Sequence, residues 1–275
     1  MNNEDLQFLK EMARKARTAA IRMMGHAGGG HVGGAMSIIE TVVYLYFRAM
    51  DVTPENVGKP AERDRFILSK GHAGPGLYGV LNAKGLIPDE WIDTLNVPGS
   101  RLPSHCNMAL TPGVDFTTGS LGQGFSVAVG MALANQLKRS PKRVYTLIGD
   151  GESQEGQIWE SAMFAAHQKL GNLVAFTDNN KLQLDGVTAD ILGVEDLVEK
   201  WKAFGWRCSR INGHDFNALD EAVTGSRGAQ VPTMIVLETI KSYGFAPGEN
   251  TTKNHHMAFS REEAEKAIAD MLARM

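Results

Sequence analysis

Hydrophobic positions along the chain follow two patterns, a helical period in some segments and short continuous runs in others. Residues 6–24 place leucine, alanine and methionine side chains near one face, so we expect an amphipathic helix there. Residues 36–49 are apolar nearly all round, which predicts a second, buried helix. Strands are predicted at residues 65–69, 144–148, 173–177, 207–211 and 233–239.

Further helices are predicted between and after these strands. They are expected at residues 75–84, 124–138, 156–170, 194–204 and 216–226. A tail helix should begin at Ser260, because Glu263 three residues later completes a capping box. Buried strands that alternate with helices are typical of a parallel sheet covered on both faces. We therefore predict a three-layer α/β/α fold, as one domain over residues 1–275 with an N-terminal helical section packed on it.

Composition and charge exclude several classes of protein. The 275 residues carry a net charge of −3, which predicts no strong attraction to nucleic acid or to acidic membranes. No apolar stretch approaches the ~20 residues that span a bilayer, and the first residues lack a secretory signal. The two cysteines, Cys106 and Cys208, have no metal-binding spacing, and reduced cysteines fit a cytoplasmic protein.

Two polar signatures follow two neighbouring predicted strands. Residues 149–152 read Gly-Asp-Gly-Glu, and residues 178–180 read Asp-Asn-Asn. Either signature alone is typical of a turn. Together they place Asp150 and Asn180 at the carboxyl ends of adjacent strands, where ligands bind in parallel sheets. Their oxygen atoms suit Mg²⁺ or Ca²⁺, and the glycines let a phosphate approach the backbone. The pair therefore predicts a site for a metal-bridged diphosphate.

Five of the eight histidines fall in or beside the glycine-rich and strand-end loops. They are His26, His31, His72, His105 and His256. Near neutral pH an imidazole can donate, accept or transfer a proton, so a histidine that faces a cavity is a candidate for catalysis. A lone histidine is more often a surface or satisfied core residue, and we favour that interpretation for His26.

The two strand-end signatures resemble those of a known family. The stretch from Gly149 to Asn180 is similar to the thiamine diphosphate motif, and residues 149–160 resemble transketolases in particular. The similarity extends over nearly the whole chain. It includes Gly30-His31-Val32-Gly33-Gly34, Ser69-Lys70-Gly71-His72, Thr118-Gly119-Ser120-Leu121-Gly122-Gln123-Gly124 and His256. The chain resembles the N-terminal subunit of a split transketolase, with the thiamine-diphosphate-binding fold of its diphosphate domain.

The resemblance implies a role for each matched residue. The divalent ion would be held by Asp150, the side chain of Asn180 and the carbonyl of Leu182. The cofactor would contact His72, Gly119, Ser120, Leu121, Asp150, Gly151, Glu152, Glu155 and Asn180. The sugar channel would be lined by His31, His105 and His256. Either His255 or His256 could correspond to the channel histidine of the family, because Met257 follows where the family commonly has glycine.

Two acids on the helix after the metal loop allow two interpretations. Glu155 and Glu160 are five residues apart, which is not a favourable pairing distance on a helix. They are consistent with a solvated helix face. By the resemblance, they would instead join a carboxylate network at a subunit interface near the cofactor.

The resemblance also implies an activity and a partner. A transketolase uses thiamine diphosphate and Mg²⁺ (or Ca²⁺) to transfer a two-carbon ketol unit from a ketose phosphate to an aldose. The glutamate that activates the cofactor comes from a second, pyrimidine-binding domain, for which this chain has no remaining length. We therefore expect a separate C-terminal subunit, an α₂β₂ assembly, and no activity of this chain alone.

Three alternatives stay open at this point. One is the α-type subunit of another thiamine diphosphate enzyme, either a 2-oxoacid dehydrogenase E1 or a deoxyxylulose-phosphate synthase-like half. The second is a non-catalytic module that binds Mg²⁺ and a diphosphate. The third is a transketolase specialised for an unusual ketose, such as a branched or sulfonated sugar, since the clamp for the distal end of the substrate would belong to the partner.

Overall fold

A five-stranded parallel sheet forms the centre of the computed structural model, which describes residues 1–275. Its strands stand in the order β2-β3-β4-β6-β5, and every neighbouring pair is parallel. The strands are β1 (Gly29–Gly30), β2 (Arg65–Leu68), β3 (Val144–Gly149), β4 (Leu173–Asn179), β5 (Arg207–Asn212), β6 (Thr233–Glu238) and β7 (Met257–Ala258). The five predicted strands are all present, within one or two residues of their expected bounds.

Ten α-helices accompany the strands. They are α1 (Asn3–His26), α2 (Val32–Met36), α3 (Ile39–Tyr44), α4 (Gly74–Ala83), α5 (Gln123–Leu137), α6 (Gly156–His167), α7 (Thr188–Leu192), α8 (Leu197–Ala203), α9 (Phe216–Gly225) and α10 (Arg261–Arg274). The capping box at Ser260 and Glu263 is formed as predicted. None of these helices is both long and apolar enough to span a lipid bilayer.

The helices cover the two faces of the sheet with separate hydrophobic cores. On one face, 47 buried residues join the sheet to α1–α4 and α9, with α10 packed outside on α1. On the other face, 18 buried residues join it to α5, α6 and α8. The prediction of a three-layer α/β/α fold is confirmed. Because both faces are covered, ligands can reach the sheet only at the ends of its strands.

The prediction of one continuous helix over residues 36–49 is wrong. The chain forms α2, breaks at Ser37 and Ile38, forms α3, and then ends in a π-helical turn at Leu45–Ala49. Tertiary contact explains the break, because the Ser37 hydroxyl donates a 2.8 Å hydrogen bond to Asp178 at the end of β4. The apolar pattern predicted burial correctly but could not reveal this long-range bond.

A two-stranded antiparallel ribbon, which was not predicted, joins two segments that are far apart in the chain. Gly29 pairs with Ala258 and Gly30 with Met257. Gly29 has φ of 137°, and a Cβ atom there would lie 2.3 Å from the Met257 carbonyl oxygen, so only glycine fits this close approach. The ribbon brings the loop after α1 next to the segment that precedes α10.

Candidate active site

A cavity of about 380 Å³ opens at the carboxyl ends of β2, β3 and β4. Eleven of the residues predicted from the sequence line it. They are His31, His72, His105, Gly119, Leu121, Asp150, Gly151, Glu152, Glu155, Asn180 and Leu182. The expectation that these separate loops meet at one edge of the sheet agrees with their position in the structure.

Two predicted residues do not line the cavity. Ser120 is exposed just before the start of α5, although its neighbours Gly119 and Leu121 face inward. At the tail, His255 is half-buried and lines the cavity, whereas His256 is exposed. Both residues lie in a bend just before β7, and only the side chain of His255 turns into the cavity. The structure therefore favours His255 over His256 as the third channel histidine.

Asp150 is held by backbone groups at the end of β3. It is 3% exposed. Its carboxylate accepts hydrogen bonds from the amides of Gly151 and Lys181, each at 2.7 Å. Burial and the nearby charge of Asp178 raise the pKa of Asp150 to about 6, against the weaker effect of these bonds. A carboxylate whose pKa is raised by burial gains from a bound cation.

Asn180 is fixed by two hydrogen bonds at the end of β4. Its side-chain nitrogen donates to Asp178 at 2.7 Å, and its Oδ1 accepts from the amide of Leu182 at 3.1 Å. These bonds set the orientation of the side-chain amide. A carbonyl oxygen has two lone pairs, so Oδ1 keeps capacity for a further ligand.

Asp178, for which the sequence predicted no role, organises the floor of the site. It is fully buried and accepts hydrogen bonds from Lys70 at 2.6 Å and from Thr239 at 2.5 Å, besides those from Ser37 and Asn180. Burial favours the neutral acid, but Lys70 and these bonds outweigh it and lower the pKa of Asp178. Asp178 therefore stays ionised and pairs with the buried cation.

Two lysines reach the cavity, and neither was predicted to do so from the sequence. Lys70 follows β2 and donates to the Gly34 carbonyl at 2.8 Å as well as to Asp178. Lys241 follows β6 and donates to the carbonyl of Leu182 at 2.9 Å. Burial lowers the pKa of Lys241 to about 8. A signal was present, since both lysines come within three residues of a strand end on the cavity side.

The donor set fits a divalent ion and a diphosphate. Asp150, Asn180 and Leu182 present a carboxylate, an amide oxygen and a backbone carbonyl, which are hard ligands suited to Mg²⁺ or Ca²⁺. The Leu182 carbonyl already accepts a bond from an ammonium group, which shows that this oxygen can face a cation. Lys70 and Lys241 offer positive charge in the same cavity for an anionic ligand.

Glu152 connects three loops of the site. It is 2% exposed. One carboxylate oxygen accepts from the Ser69 hydroxyl at 2.5 Å and from the Gly122 amide at 2.8 Å, while the other accepts from the Gly149 amide at 3.1 Å. These bonds tie the ends of β2 and β3 to the start of α5. The hydrogen bonds of this carboxylate are all with the protein itself, and its contact with a cofactor stays a prediction.

A cluster of imidazole rings, here called the histidine wall, lines part of the same cavity. The ring of His31 lies 5.6 Å from that of His72, 5.3 Å from His105 and 5.5 Å from His255, measured between centroids. His256 is closer to His31, at 4.8 Å, but stands outside the lining. The Nδ1 atom of His31 is buried without a hydrogen-bond partner, so it is available to a ligand in the cavity.

The four histidines that line the cavity are neutral near pH 7. Burial, followed by the influence of His256 and His105, lowers the pKa of His31 to about 4. Burial and the nearby Lys241 lower the pKa of His255 to about 4. The pKa values of His72 and His105 are also lowered, mainly by burial. A neutral imidazole can both donate and accept, so this wall can bind hydroxyl groups and accept a proton.

The two acids on α6 lie at and beyond the rim. Glu155 is exposed at the mouth of the cavity and precedes the first residue of α6. Glu160 is also exposed, one turn further along the helix. A solvated helix face and an interface network both fit these positions, so both interpretations stay predictions.

Comparison with known proteins agrees with the chemistry of the site. The sequence model of the family described as "Transketolase, thiamine diphosphate binding domain" matches residues 9–271. The chain is 51% identical to the 6-deoxy-6-sulfo-D-fructose transketolase subunit of Clostridium sp. (strain MSTE9), over 96% of both chains. It is 36% identical to an apulose-4-phosphate transketolase subunit of Actinobacillus succinogenes, over 98% of this chain and 99% of that one.

Solved structures show the same fold. The transketolase of Leishmania mexicana superposes with a TM-score of 0.89 at 28% identity, over 97% of this chain and 41% of the other. The transketolase of Campylobacter jejuni also gives 0.89 at 28% identity, over 98% of this chain and 43% of the other. The chain therefore spans about two fifths of these longer enzymes, while it matches the relatives described as subunits over nearly their whole length.

Proposed function

Because this chain belongs to the transketolase family, we propose that it is the diphosphate-binding N-terminal subunit of a two-chain transketolase. One observation carries the proposal: oxygen ligands, two lysines and four neutral histidines line a single cavity. The match to subunit-length relatives over 96% or more of each chain supports the division into two chains.

Thiamine diphosphate and a divalent ion would bind at the ends of β3 and β4. Asp150, Asn180 and the Leu182 carbonyl would hold the ion, and the ion would anchor the diphosphate. The Gly151 amide and His72 would complete the diphosphate contacts. When bound, thiamine diphosphate supplies a centre that stabilises a carbanion on the carbon being transferred.

The histidine wall would serve the sugar. His31, His105 and His255 would donate and accept hydrogen bonds at its hydroxyl and carbonyl oxygens. Their lowered pKa values keep the rings neutral, so one of them can accept a hydroxyl proton as the carbon–carbon bond breaks.

A partner chain would complete the site with a pyrimidine-binding domain and its activating glutamate. The loop and short helix beside the cavity support this, because they expose several large apolar side chains. Leu184 is 61% exposed, Ile191 47% and Leu192 58%. Exposed apolar groups that cluster in this way are typical of a protein interface. An α₂β₂ assembly would pair two copies of each chain.

The donor ketose is proposed to be a sugar with an anionic substituent at its distal end. The relative at 51% identity is described as acting on a sulfonated fructose, and those at 36% on apulose 4-phosphate. These names favour a transketolase specialised for an unusual ketose, with 6-deoxy-6-sulfofructose as the first candidate. Ketose phosphates, which are the donors inferred from the sequence, remain in the same panel.

The decisive experiment compares the chain alone with the chain co-expressed with its proposed partner. Both samples are assayed with Mg²⁺, thiamine diphosphate, an aldose acceptor, and either 6-deoxy-6-sulfofructose, ketose phosphates or pyruvate as donor. We expect ketose turnover by the complex only, and none with pyruvate. Turnover by the isolated chain would contradict the two-chain proposal, and consumption of pyruvate would favour the 2-oxoacid or deoxyxylulose alternatives.

A further inference from the structure

Three buried polar residues from three separate elements form one hydrogen-bond network outside the active-site cavity. Arg17 lies on α1, Glu40 on α3, and His214 in the turn between β5 and α9. The Arg17 guanidinium donates to one Glu40 oxygen at 2.7 Å, and the other Glu40 oxygen lies 3.0 Å from His214 Nδ1. The Arg17 side chain is fully buried and that of Glu40 is 5% exposed.

This hydrogen-bond network also includes the backbone of a neighbouring segment. The amide of Ile240 donates to His214 Nε2 at 2.9 Å. A nitrogen that accepts a hydrogen bond carries no proton, so the ring proton of His214 is on Nδ1, facing Glu40. Burial would raise the pKa of Glu40, but Arg17 and His214 outweigh it and lower that pKa to about 2. Glu40 is therefore a carboxylate that fixes the tautomer of His214.

The same residues also hold the other end of this segment. Arg17 Nε donates to the Tyr243 carbonyl at 3.0 Å, and the ring of His214 stacks on that of Tyr243 with 3.9 Å between centroids. Residues 240–243 are thus attached at their first amide and at their last carbonyl. Arg17 and His214, which make these attachments, are both bonded to Glu40, and the Ser242 amide adds a third attachment by donating to the Gly33 carbonyl at 3.1 Å.

The segment between these attachments carries Lys241 into the active site. Ser242 has φ of 61°, in the left-handed region that is unfavourable for residues other than glycine. Such a conformation persists only when its surroundings impose it. The strained turn directs the ammonium of Lys241 to the Leu182 carbonyl, at 2.9 Å. Relaxation of the turn would move this cation away from the proposed diphosphate site.

We propose that Arg17, Glu40 and His214 are positioning residues, which hold the turn at residues 240–243 so that Lys241 faces the anionic cofactor. None of the three touches the active-site cavity. The inference rests on the proposed function, because it assigns Lys241 to the binding of a diphosphate. Its central contact is the hydrogen bond from Ile240 to His214, since this bond is adjacent to Lys241 in the chain.

Two substitutions of His214 separate its two hydrogen bonds. In His214→Asn the shorter amide reaches Glu40, as Nδ1 does, but not Ile240. In His214→Gln the longer amide places an oxygen near the position of Nε2 and restores an acceptor for Ile240. Both variants leave a polar group in the buried site, so both should fold. His167→Asn is the matched control, because His167 is exposed on α6.

The main measurement is the dissociation constant of thiamine diphosphate, with Mg²⁺, for the complex with the partner subunit. We expect His214→Asn to raise it by about tenfold, and His214→Gln and His167→Asn to leave it within about twofold of the unsubstituted complex. In a Lys241→Ala background, His214→Asn should have less than about a twofold effect, because the cation it positions is gone. A merely structural role would give the same loss with or without Lys241.

The rate of amide hydrogen exchange at residues 239–243 can be measured in the free chain, without the cofactor. His214→Asn should speed exchange there, while His214→Gln should not. Unchanged exchange in His214→Asn, or an undiminished effect of that substitution in the Lys241→Ala background, would overturn the inference. If the unsubstituted complex binds no thiamine diphosphate, the proposed function fails, and the exchange result still decides whether His214 holds the turn.

Discussion

Two buried aspartates at neighbouring strand ends have different surroundings. Asp178 is paired with Lys70 and accepts hydrogen bonds from three further side chains, and its pKa is lowered. Asp150 accepts mostly backbone amides, and its pKa is raised to about 6. The charge of the first aspartate is balanced by an ion pair, whereas the second accepts hydrogen bonds but has no ion-pair partner. This difference separates a structural role from a binding role.

The two aspartates should therefore respond differently to the same substitution. Asp150→Asn removes a buried charge beside Asp178 but turns an NH₂ group toward one of two backbone amides, so we expect these effects to offset and the stability of the free chain to change by less than about 1 kcal/mol. Mg²⁺-dependent binding of thiamine diphosphate should weaken about 100-fold. Asp178→Asn leaves Lys70 unpaired and should destabilise the chain by about 3 kcal/mol. Thermal unfolding of the free chain and cofactor titration of the complex measure the two effects. A clear loss of stability in Asp150→Asn would contradict this assignment.

The paired histidines at the tail allow a direct test of the register. His255→Ala removes a ring from the cavity wall, and we expect kcat/KM of the complex to fall about 100-fold. His256→Ala changes an exposed residue next to it and should reduce kcat/KM by less than about threefold. Steady-state kinetics with the same donor sugar compare them. A larger effect at His256 would identify His256, and not His255, as the third channel histidine.

The depressed pKa of His31 predicts how the free chain responds to acid. Its pKa is about 4 when folded and near 6.5 when unfolded. Between these values the unfolded chain binds the extra proton, so the contribution of His31 to stability is present above pH 6.5 and is lost as the pH falls toward 4.

His31→Asn should remove that part of the pH dependence. Between pH 7 and pH 5, the unsubstituted chain should lose about 1 kcal/mol more unfolding free energy than the variant does, a figure reduced for solvent screening because the ring is partly exposed. Urea unfolding at both values measures the difference. His72, His105, His255 and His256 surround the ring and are the same in both proteins. Equal losses in the two proteins would show that His31 does not titrate in this way.

At the scale of elements, glycine decides how closely two helices can approach. Gly79 on α4 faces α1, and a Cβ atom there would lie 2.2 Å from the Ala16 carbonyl oxygen. Gly130 on α5 is exposed, and a Cβ atom there would meet nothing within 4 Å. Glycine therefore permits close helix packing at Gly79, whereas Gly130 lies on an open helix surface.

Alanine at these two glycines should change stability with opposite sign. Gly79→Ala forces α1 and α4 apart and should destabilise the free chain by about 1–3 kcal/mol. Gly130→Ala keeps the helix surface and should stabilise it by about 0.5–1 kcal/mol, because alanine loses less backbone entropy in a helix. Chemical denaturation of the free chain compares them, and destabilisation by Gly130→Ala would contradict an open surface at this position.

Elements with a strong local pattern could be predicted from the sequence, and elements that depend on long-range pairing could not. The buried strands and the capping box at Ser260 have local signals, and both are confirmed. The β1–β7 ribbon has two residues in each strand, too few for any period to appear. Residues 255 and 256 lie in a bend just before β7, and no local pattern indicates which of the two side chains enters the cavity.

The same limit applies to the site. Asp150 and Asn180 stand in motifs, so their types and spacing predicted a shared location, whereas Asp178 and Lys241 act through partners far away in sequence. Asp178 bonds Lys70, 108 residues earlier, and Lys241 bonds Leu182, 59 residues earlier. No local pattern indicates which buried charge will meet which partner, because that depends on how the loops pack at the edge of the sheet.

For the whole molecule, the apolar residues beside the cavity are expected to form a contact with the partner subunit. Ile191→Asp places a charge in that surface and should weaken assembly by more than about tenfold, since a buried unpaired charge is unfavourable. Leu272→Asp is the control, because Leu272 is 50% exposed on α10, away from the cavity lining. Analytical ultracentrifugation of the mixed subunits measures both. Equal effects of the two substitutions would argue against a specific contact at Ile191.

The short ribbon between β1 and β7 has a consequence for how the protein is made. It places His255 beside His31, although 224 residues separate them in the chain (255 − 31). A ribosome translates His31 early and reaches His255 only after every strand of the central sheet. The histidine wall therefore cannot assemble on a shorter nascent chain, however well the earlier strands have folded. A polypeptide released before this point would carry the metal ligands without the complete wall, and only chains translated past the ribbon could offer both to a cofactor.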